Sequence, residues 1–195
     1  MDKKLIHEEL IKFGSFPKGE RDQCYQEYYL DGEWHEGERE IRNRMKIMNF
    51  FPQKGDIVAD IGCNIGGFLQ ESYLNGATCI GFDIDSDYVR IAKQLAEYNG
   101  HEITFINNKT IDECIKYLKN YDKIDYLLLM SMGKHIGEET LFKIINTLKP
   151  KTVFIETNAF KKDPPYLDNI TKLNGSIIGK TYDRNERVLY KICFN

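Results

Sequence analysis

The sequence predicts an α/β fold: a doubly wound, mostly parallel seven-stranded sheet with a C-terminal antiparallel hairpin, preceded by an N-terminal helical segment. Three observations carry this. From Ile57 onward, short apolar runs alternate five times with segments of helical period, the pattern of βα units on a parallel sheet. Two longer strand-like runs follow, and the polar Asp183-Arg184-Asn185-Glu186 between them reads as a hairpin turn. Glycines gather where the first strand ends and a carboxylate ends the second, the edge at which open α/β sheets hold ligands.

Each element has its own signal. Residues 57–61 read as the first strand and 67–73 as the helix after it; 78–82 is the second strand. Ser86 is read as the cap of a helix that stops at Asn99-Gly100, a natural left-handed end. Residues 103–106 form the third strand. Thr110-Ile111-Asp112-Glu113 is a capping box, and Ile111, Cys114, Ile115 and Leu118 line one face of the helix it opens. The fourth strand covers 124–130. The next helix, 138–148, buries Leu141, Ile144, Ile145 and Leu148 and ends before Pro150, and the fifth strand is 152–156. A short helix near 166–173 leads into strands 176–182 and 187–194. Residues 1–54 stand outside the alternation, with helices at 3–13 and 38–51 joined by a loop. They are read as a helical lid or extension of a domain spanning 55–195.

Composition narrows the function. With 42% apolar residues the 195-residue chain can build a core, and 29% charged residues exclude wholesale disorder. A net charge of −3 is not the footprint of a non-specific nucleic-acid binder, for which a basic domain is expected. Five cysteines with no CxxC pair fit neither a disulfide framework nor a zinc site, and no His/Asp/Glu cluster has metal-ligand spacing. Acidic residues lie where a signal peptide needs its apolar stretch, and the longest apolar run, 126–130, is far short of a bilayer span. The expected setting is cytoplasmic, with reduced thiols and no membrane.

The first strand runs into Asp60-Ile61-Gly62-Cys63-Asn64-Ile65-Gly66-Gly67-Phe68, and Asp83 lies 23 residues beyond Asp60. An acid at that strand end, about 20 residues past a glycine turn, is placed to accept hydrogen bonds from both ribose hydroxyls. The ligand is therefore adenosine-like. A pyrophosphate needs a free helix N-terminus, and Asp60 would set a negative charge beside it. S-adenosylmethionine (SAM) brings a sulfonium and an ammonium, so the sign of the charge favours SAM over a nicotinamide cofactor.

These residues resemble the class I SAM-dependent methyltransferases. Asp60 to Phe68 is similar to their first motif, Gly81-Phe82-Asp83-Ile84-Asp85 to their second, and Thr147-Leu148-Lys149-Pro150 to the turn before their fifth strand. The resemblance covers about 54–195 and implies a Rossmann-like seven-stranded sheet. It implies that Gly62, Asn64 and Gly66 lie along the methionine part of SAM, that Asp83 holds the ribose, and that Ile84 covers one adenine face. Asp60, Cys63, Asn108 and Met130 complete the expected cofactor set; Asn107 and Asn108 stand where the family often carries an acid. The Met130-Ser131-Met132-Gly133-Lys134-His135 segment lacks the Asn/Asp-Pro-Pro-Tyr run of amino-methylating nucleic-acid enzymes, and no Pro-Cys pair suits cytosine-C5 transfer.

His135 follows the fourth strand, on the side where the resemblance puts the acceptor. An imidazole with a pKa near 6.5 suits deprotonation of a hydroxyl. Glu156, at the end of the fifth strand, is the second catalytic candidate. Cys63 is read as a small packing residue rather than a nucleophile. Tyr25, Tyr28, Tyr29, Trp34 and His35 either line the acceptor or pack the N-terminal segment on the sheet. Arg39, Arg42 and Arg44 read mainly as a solvated helix face, with Arg39 in reach of an anionic acceptor. The expected activity is methyl transfer to a small-molecule or sugar hydroxyl, with no metal. The alternatives are an RNA or tRNA methyltransferase using Lys161, Lys162 and Lys172 on phosphates, a nicotinamide-dependent oxidoreductase, and a non-catalytic SAM-binding module.

Overall fold

The computed structural model describes residues 3–14, 18, 22–132, 136–160, 165–183 and 186–194. In chain order these form α1 (Lys3–Gly14), β1 (Tyr28–Leu30), β2 (Glu33–His35), α2 (Ile41–Ile47), β3 (Ile57–Ile61), α3 (Gly67–Leu74), β4 (Thr78–Asp83), α4 (Ser86–Asn99), β5 (Thr104–Asn107), α5 (Ile111–Leu118), β6 (Tyr126–Leu129), α6 (Glu138–Leu148), β7 (Thr152–Phe160), a 3-10 segment (Pro165–Leu173), β8 (Gly175–Tyr182) and β9 (Arg187–Phe194). The main sheet has seven strands in the order β5-β4-β3-β6-β7-β9-β8. β3 to β7 run parallel, and β9 pairs antiparallel with β7 and β8. The predicted doubly wound sheet with its terminal hairpin is the observed one. Its strand order reverses between β3 and β6, and the carboxyl ends of those two strands frame the crevice.

Strand alternation sorts the core. Ala59, Ile61, Ile80, Phe82, Leu127, Leu129, Val153 and Ile155 face one layer, with α5 and α6 packed over them. Val58, Cys79, Leu128 and Phe154 face the other, against Ile41 and Met45 of α2 and Phe68 of α3. The period of two therefore puts Asp60 and Glu156 on the α2 side of the sheet, with Val58 and Phe154.

The helix signals hold with local corrections. Thr110 Oγ1 accepts from Glu113 N, and Glu113 Oε2 accepts from Lys109 N, so the cap closes one residue earlier than the usual box. α4 ends at Gly100, whose φ is +67°. It is capped by Asp85 rather than Ser86: the Asp85 carboxylate accepts from the N–H groups of Asp87 and Tyr88, and Ser86 is the first helical residue.

The N-terminal segment departs most from expectation. The expected loop contains a hairpin, β1-β2, turned by Asp31 and Gly32, both at positive φ (59° and 82°). A two-residue turn of that shape matches the twist of its strands. α2 begins only at Ile41 because the backbone before it is engaged elsewhere. Arg39 N donates to Tyr25 O, Glu38 N to Cys24 O, and Glu27 N to Arg39 O. Ile6 and Leu10 of α1 join Tyr28 and Leu30 in a cluster with Ile65, Ile91 and Leu95. This segment shares a core with α3 and α4. Among the described residues, no helix is long and apolar enough to cross a membrane.

Candidate functional site

The glycine turn after β3 is built by its backbone. Gly62 N and Cys63 N both donate to Phe82 O, locking the turn against β4. Gly62 has φ +84° and Gly66 +81°. A Cβ on Gly66 would come 2.5 Å from the Phe105 ring, so the position needs glycine both for its dihedral and for its space. Asn64, at φ +54°, turns its N–H onto Asp83 Oδ2 at 2.7 Å, and Asp85 N donates to Asp83 Oδ1 at 2.9 Å. The carboxylate expected to read a ribose is thus tied to the glycine turn. Burial raises its pKa above the ordinary range, against the backbone donors that oppose it. Ile84 beside it is 71% exposed, an apolar side chain held open at a strand end.

Two buried acceptors at this edge have no hydrogen-bond partner among the described residues: Asp60 Oδ1 and Asn108 Oδ1. Asn108 uses its N–H on Asp83 O and its amide NH2 on Thr110 O, which leaves the oxygen for another donor. Burial, followed by the charge of Asp83, pushes the Asp60 pKa up to about 8, with Arg44 opposing. At neutral pH this acid is held mostly protonated. Cys63 is fully buried and its thiol is pushed well above the ordinary range, first by burial and then by Asp60 and Asp83, so it packs and does not attack. Met130 is buried in the sheet core rather than open to the cleft. Met132, which the sequence did not single out, lies over the turn instead: a Cβ on Gly62 would fall 2.6 Å from its Sδ.

The N-terminus of α3 is engaged. Gly67 N donates to Gln26 Oε1 at 3.3 Å within the core. A pyrophosphate would have to displace that side chain to use the helix dipole.

Glu156 is completely buried at the hub of an ion cluster. Its Oε1 lies 2.6 Å from Arg39 Nη2 and 2.9 Å from Arg44 Nη2. Its Oε2 faces Arg187 Nη1 at 3.5 Å and accepts from Ser131 Oγ, and Arg187 Nη1 in turn donates to Ser131 Oγ at 2.7 Å. Arg39 also meets Asp183 at 2.7 Å. This overturns the solvated-face reading of two arginines: Arg39 and Arg44 are each only 4% exposed, and the Arg44 guanidinium lies 4.7 Å over the Phe68 ring. Arg42 alone remains half-exposed, paired with Glu27. Charge pattern in α2 could not reveal this, because the burying surface is supplied by β7 and β9.

The aromatics of the N-terminal segment pack it in place. Tyr28 is buried, bonded to His7 Nδ1 and stacked on His35; Tyr29 stacks on His101 and meets Trp34 edge-on. Lys18 reaches across to Asp85 and Asp87 at 2.6 and 3.0 Å. His135, Lys161 and Lys162 lie outside the described residues. Among the described residues, no cluster of His, Cys, Asp and Glu could hold a metal ion.

The sheet order, the glycine turn bonded to a strand-end acid, and the antiparallel hairpin together fit one class: the fold is the Rossmann-like fold of the class I SAM-dependent methyltransferases, and the chain's relatives and structural neighbours are members of that class. No protein-family model matches it. Among curated proteins it is 25% identical over 140 residues, 70% of its length, to a tRNA U34 carboxymethyltransferase of Desulfotalea psychrophila. It is 31% identical over 85 residues, 43% of its length, to a ubiquinone biosynthesis O-methyltransferase of Salmonella paratyphi A. These matches span only 42% and 34% of the two relatives. Of solved structures, WbdD crystallised with a kinase inhibitor superposes with a TM-score of 0.69 at 20% identity, covering 90% of this chain and 46% of that one. TrmK of M. capricolum in complex with S-adenosyl-homocysteine (SAH) gives 0.57 at 19% identity, covering 80% and 67%.

Proposed function

We propose that the protein is a SAM-dependent methyltransferase acting on a hydroxyl of a small molecule or sugar. The observation that carries this is the Asp83 carboxylate bonded to the glycine turn, beside two buried acceptors that lack partners among the described residues. The residues fit the cofactor. Asp60 and Asn108 offer oxygens to an ammonium and an adenine amine, Asp83 faces the ribose, and Ile84 lies against adenine. Gly62, Cys63, Asn64 and Gly66 form the wall along the methionine part, with Met130 beneath. SAM, when bound, supplies an electrophilic methyl on its sulfonium. The chain aligns the acceptor, excludes water and takes up the acceptor's proton, for which His135 is the candidate. Glu156 holds arginines in place rather than moving a proton, since its carboxylate is buried and already engaged by cations. The described part of residues 1–54 serves as a lid built into the core, meeting the acceptor side through Arg39 and Arg44. The expected setting is cytoplasmic.

Calorimetric titration with SAH tests the cofactor. Asp83→Ala should weaken binding by one or two charge-assisted hydrogen bonds, each about 1.5–3 kcal/mol. Binding of NAD but not of SAM or SAH by the wild type would overturn the assignment. Labelled-methyl transfer to RNA, protein and small-molecule fractions then identifies the acceptor. An RNA acceptor is the second reading, favoured by the tRNA enzyme among the relatives. Substrate binding that falls steeply with salt would select it.

A further inference from the structure

Two strands over from β3, which carries the glycine turn, three guanidiniums meet two carboxylates. Arg39, Arg44 and Arg187 gather around Glu156, and Arg39 also meets Asp183. One positive charge is in excess among the described residues. Buried charge without a counterion is expensive, so a cluster that serves only to anchor α2 should be neutral.

The donors are also incompletely used. Nε of Arg39 and of Arg44 are buried with no hydrogen-bond partner among the described residues. Arg187 is the most accessible member: its side chain is 22% exposed, against 4–5% for the other two. Ser131 sits at positive φ (60°) two residues past the end of β6, and its hydroxyl accepts from Arg187 Nη1. Glu156 ends the regular pairing of β7, and Arg187 opens β9 beside it. Glu156 and Arg187 thus lie at the carboxyl edge of the parallel strands, where open α/β sheets hold ligands, and Ser131 directly precedes Met132, whose side chain covers Gly62.

We infer that this cluster recognises an anionic group, a carboxylate or a phosphate, on the methyl acceptor, with Arg187 as the contact residue and Ser131 and Glu156 positioning it. The inference rests on the methyltransferase reading and narrows its acceptor to anionic molecules. A guanidinium fork matches the paired oxygens of either group, and an anion there cancels the excess charge.

The test uses inorganic phosphate and acetate as probes on the full chain, titrated calorimetrically at constant ionic strength in chloride, with SAH binding measured separately. The wild type should bind at least one probe, and the tighter one tells phosphate from carboxylate. Arg187→Gln should weaken that binding about tenfold or more, the loss of one charge-assisted contact. Arg187→Lys should recover part of it. Ser131→Ala, which leaves every charge in place, should weaken it about threefold. Each variant should keep SAH affinity within about twofold. Wild type that binds SAH but neither anion overturns the inference alone, as does binding unchanged in both Arg187→Gln and Ser131→Ala. Anion binding without SAH binding leaves the anion site standing and overturns the methyltransferase reading. If Arg187→Gln does not fold, Ser131→Ala and Arg187→Lys decide.

Discussion

Asp60 is the residue whose environment conflicts most with its chemistry. Its pKa rises from 3.8 to about 8 on folding, so the native state binds its proton more tightly than the unfolded chain does. Stability from this group is therefore fully present below about pH 4 and is lost as pH rises through about 8. Asp60→Asn, uncharged at every pH, should be more stable than wild type at pH 8.5 and lose that advantage progressively as pH falls to about 4. The expected difference at pH 8.5 is several kcal/mol by urea unfolding, since each tenfold change in proton affinity is about 1.4 kcal/mol. Equal pH dependence in both proteins would mean that Asp60 is ionised throughout. His135 rests on sequence position alone, five residues past Met130. His135→Ala should leave SAH affinity within about twofold and lower turnover by roughly 10²–10⁴. The wild-type rate should rise through a pKa near neutrality, because only the neutral imidazole accepts a proton. A variant keeping more than half the rate would return His135 to an ordinary loop residue.

At the scale of elements, the turn between β3 and α3 is the most demanding piece. Gly66 caps α3 from the left-handed region, with the Phe105 ring of β5 against it. Gly66→Ala adds about 1–2 kcal/mol of backbone strain and about 1–3 kcal/mol of overpacking, and it displaces the aromatic that holds β5 to the turn. We expect a lowered denaturant midpoint together with weaker SAH binding. A loss of stability with SAH affinity intact would separate the turn from the cofactor wall. Most of these elements were legible beforehand, because each carries its own code: the Thr110 box, the Gly100 stop, the alternation of β3. The β1-β2 hairpin was missed, read as loop, although Asp-Gly between Tyr28-Tyr29-Leu30 and Glu33-Trp34-His35 is a strong two-residue turn signal. The brevity of α2 was not. The backbone of 38 and 39 is claimed by residues 24 and 25, a pairing that leaves no trace in local propensity.

For the whole molecule, the question is whether residues 1–54 detach. Ile6, Leu10, Tyr28 and Leu30 are buried against Ile65, Ile91 and Leu95. At about 1.5–3 kcal/mol per side chain they represent much of the roughly 5–15 kcal/mol that keeps a domain folded. Deleting residues 1–35 should therefore abolish cooperative melting or lower the midpoint by more than about 10 °C. A truncated chain that melts near the wild-type temperature and still binds SAH would make the segment a separable lid. The sequence by itself determined the layer order, the strand-end turn and the acid spaced from it, since these follow from periodicity and from glycines that local backbone geometry demands. Only the tertiary structure decided the state of the charges. Arg39 and Glu156 lie 117 positions apart, and their burial depends on which surface each meets after the chain has closed. Desolvation is a property of the assembled neighbourhood, so no window of sequence around Arg44 or Asp60 contains it.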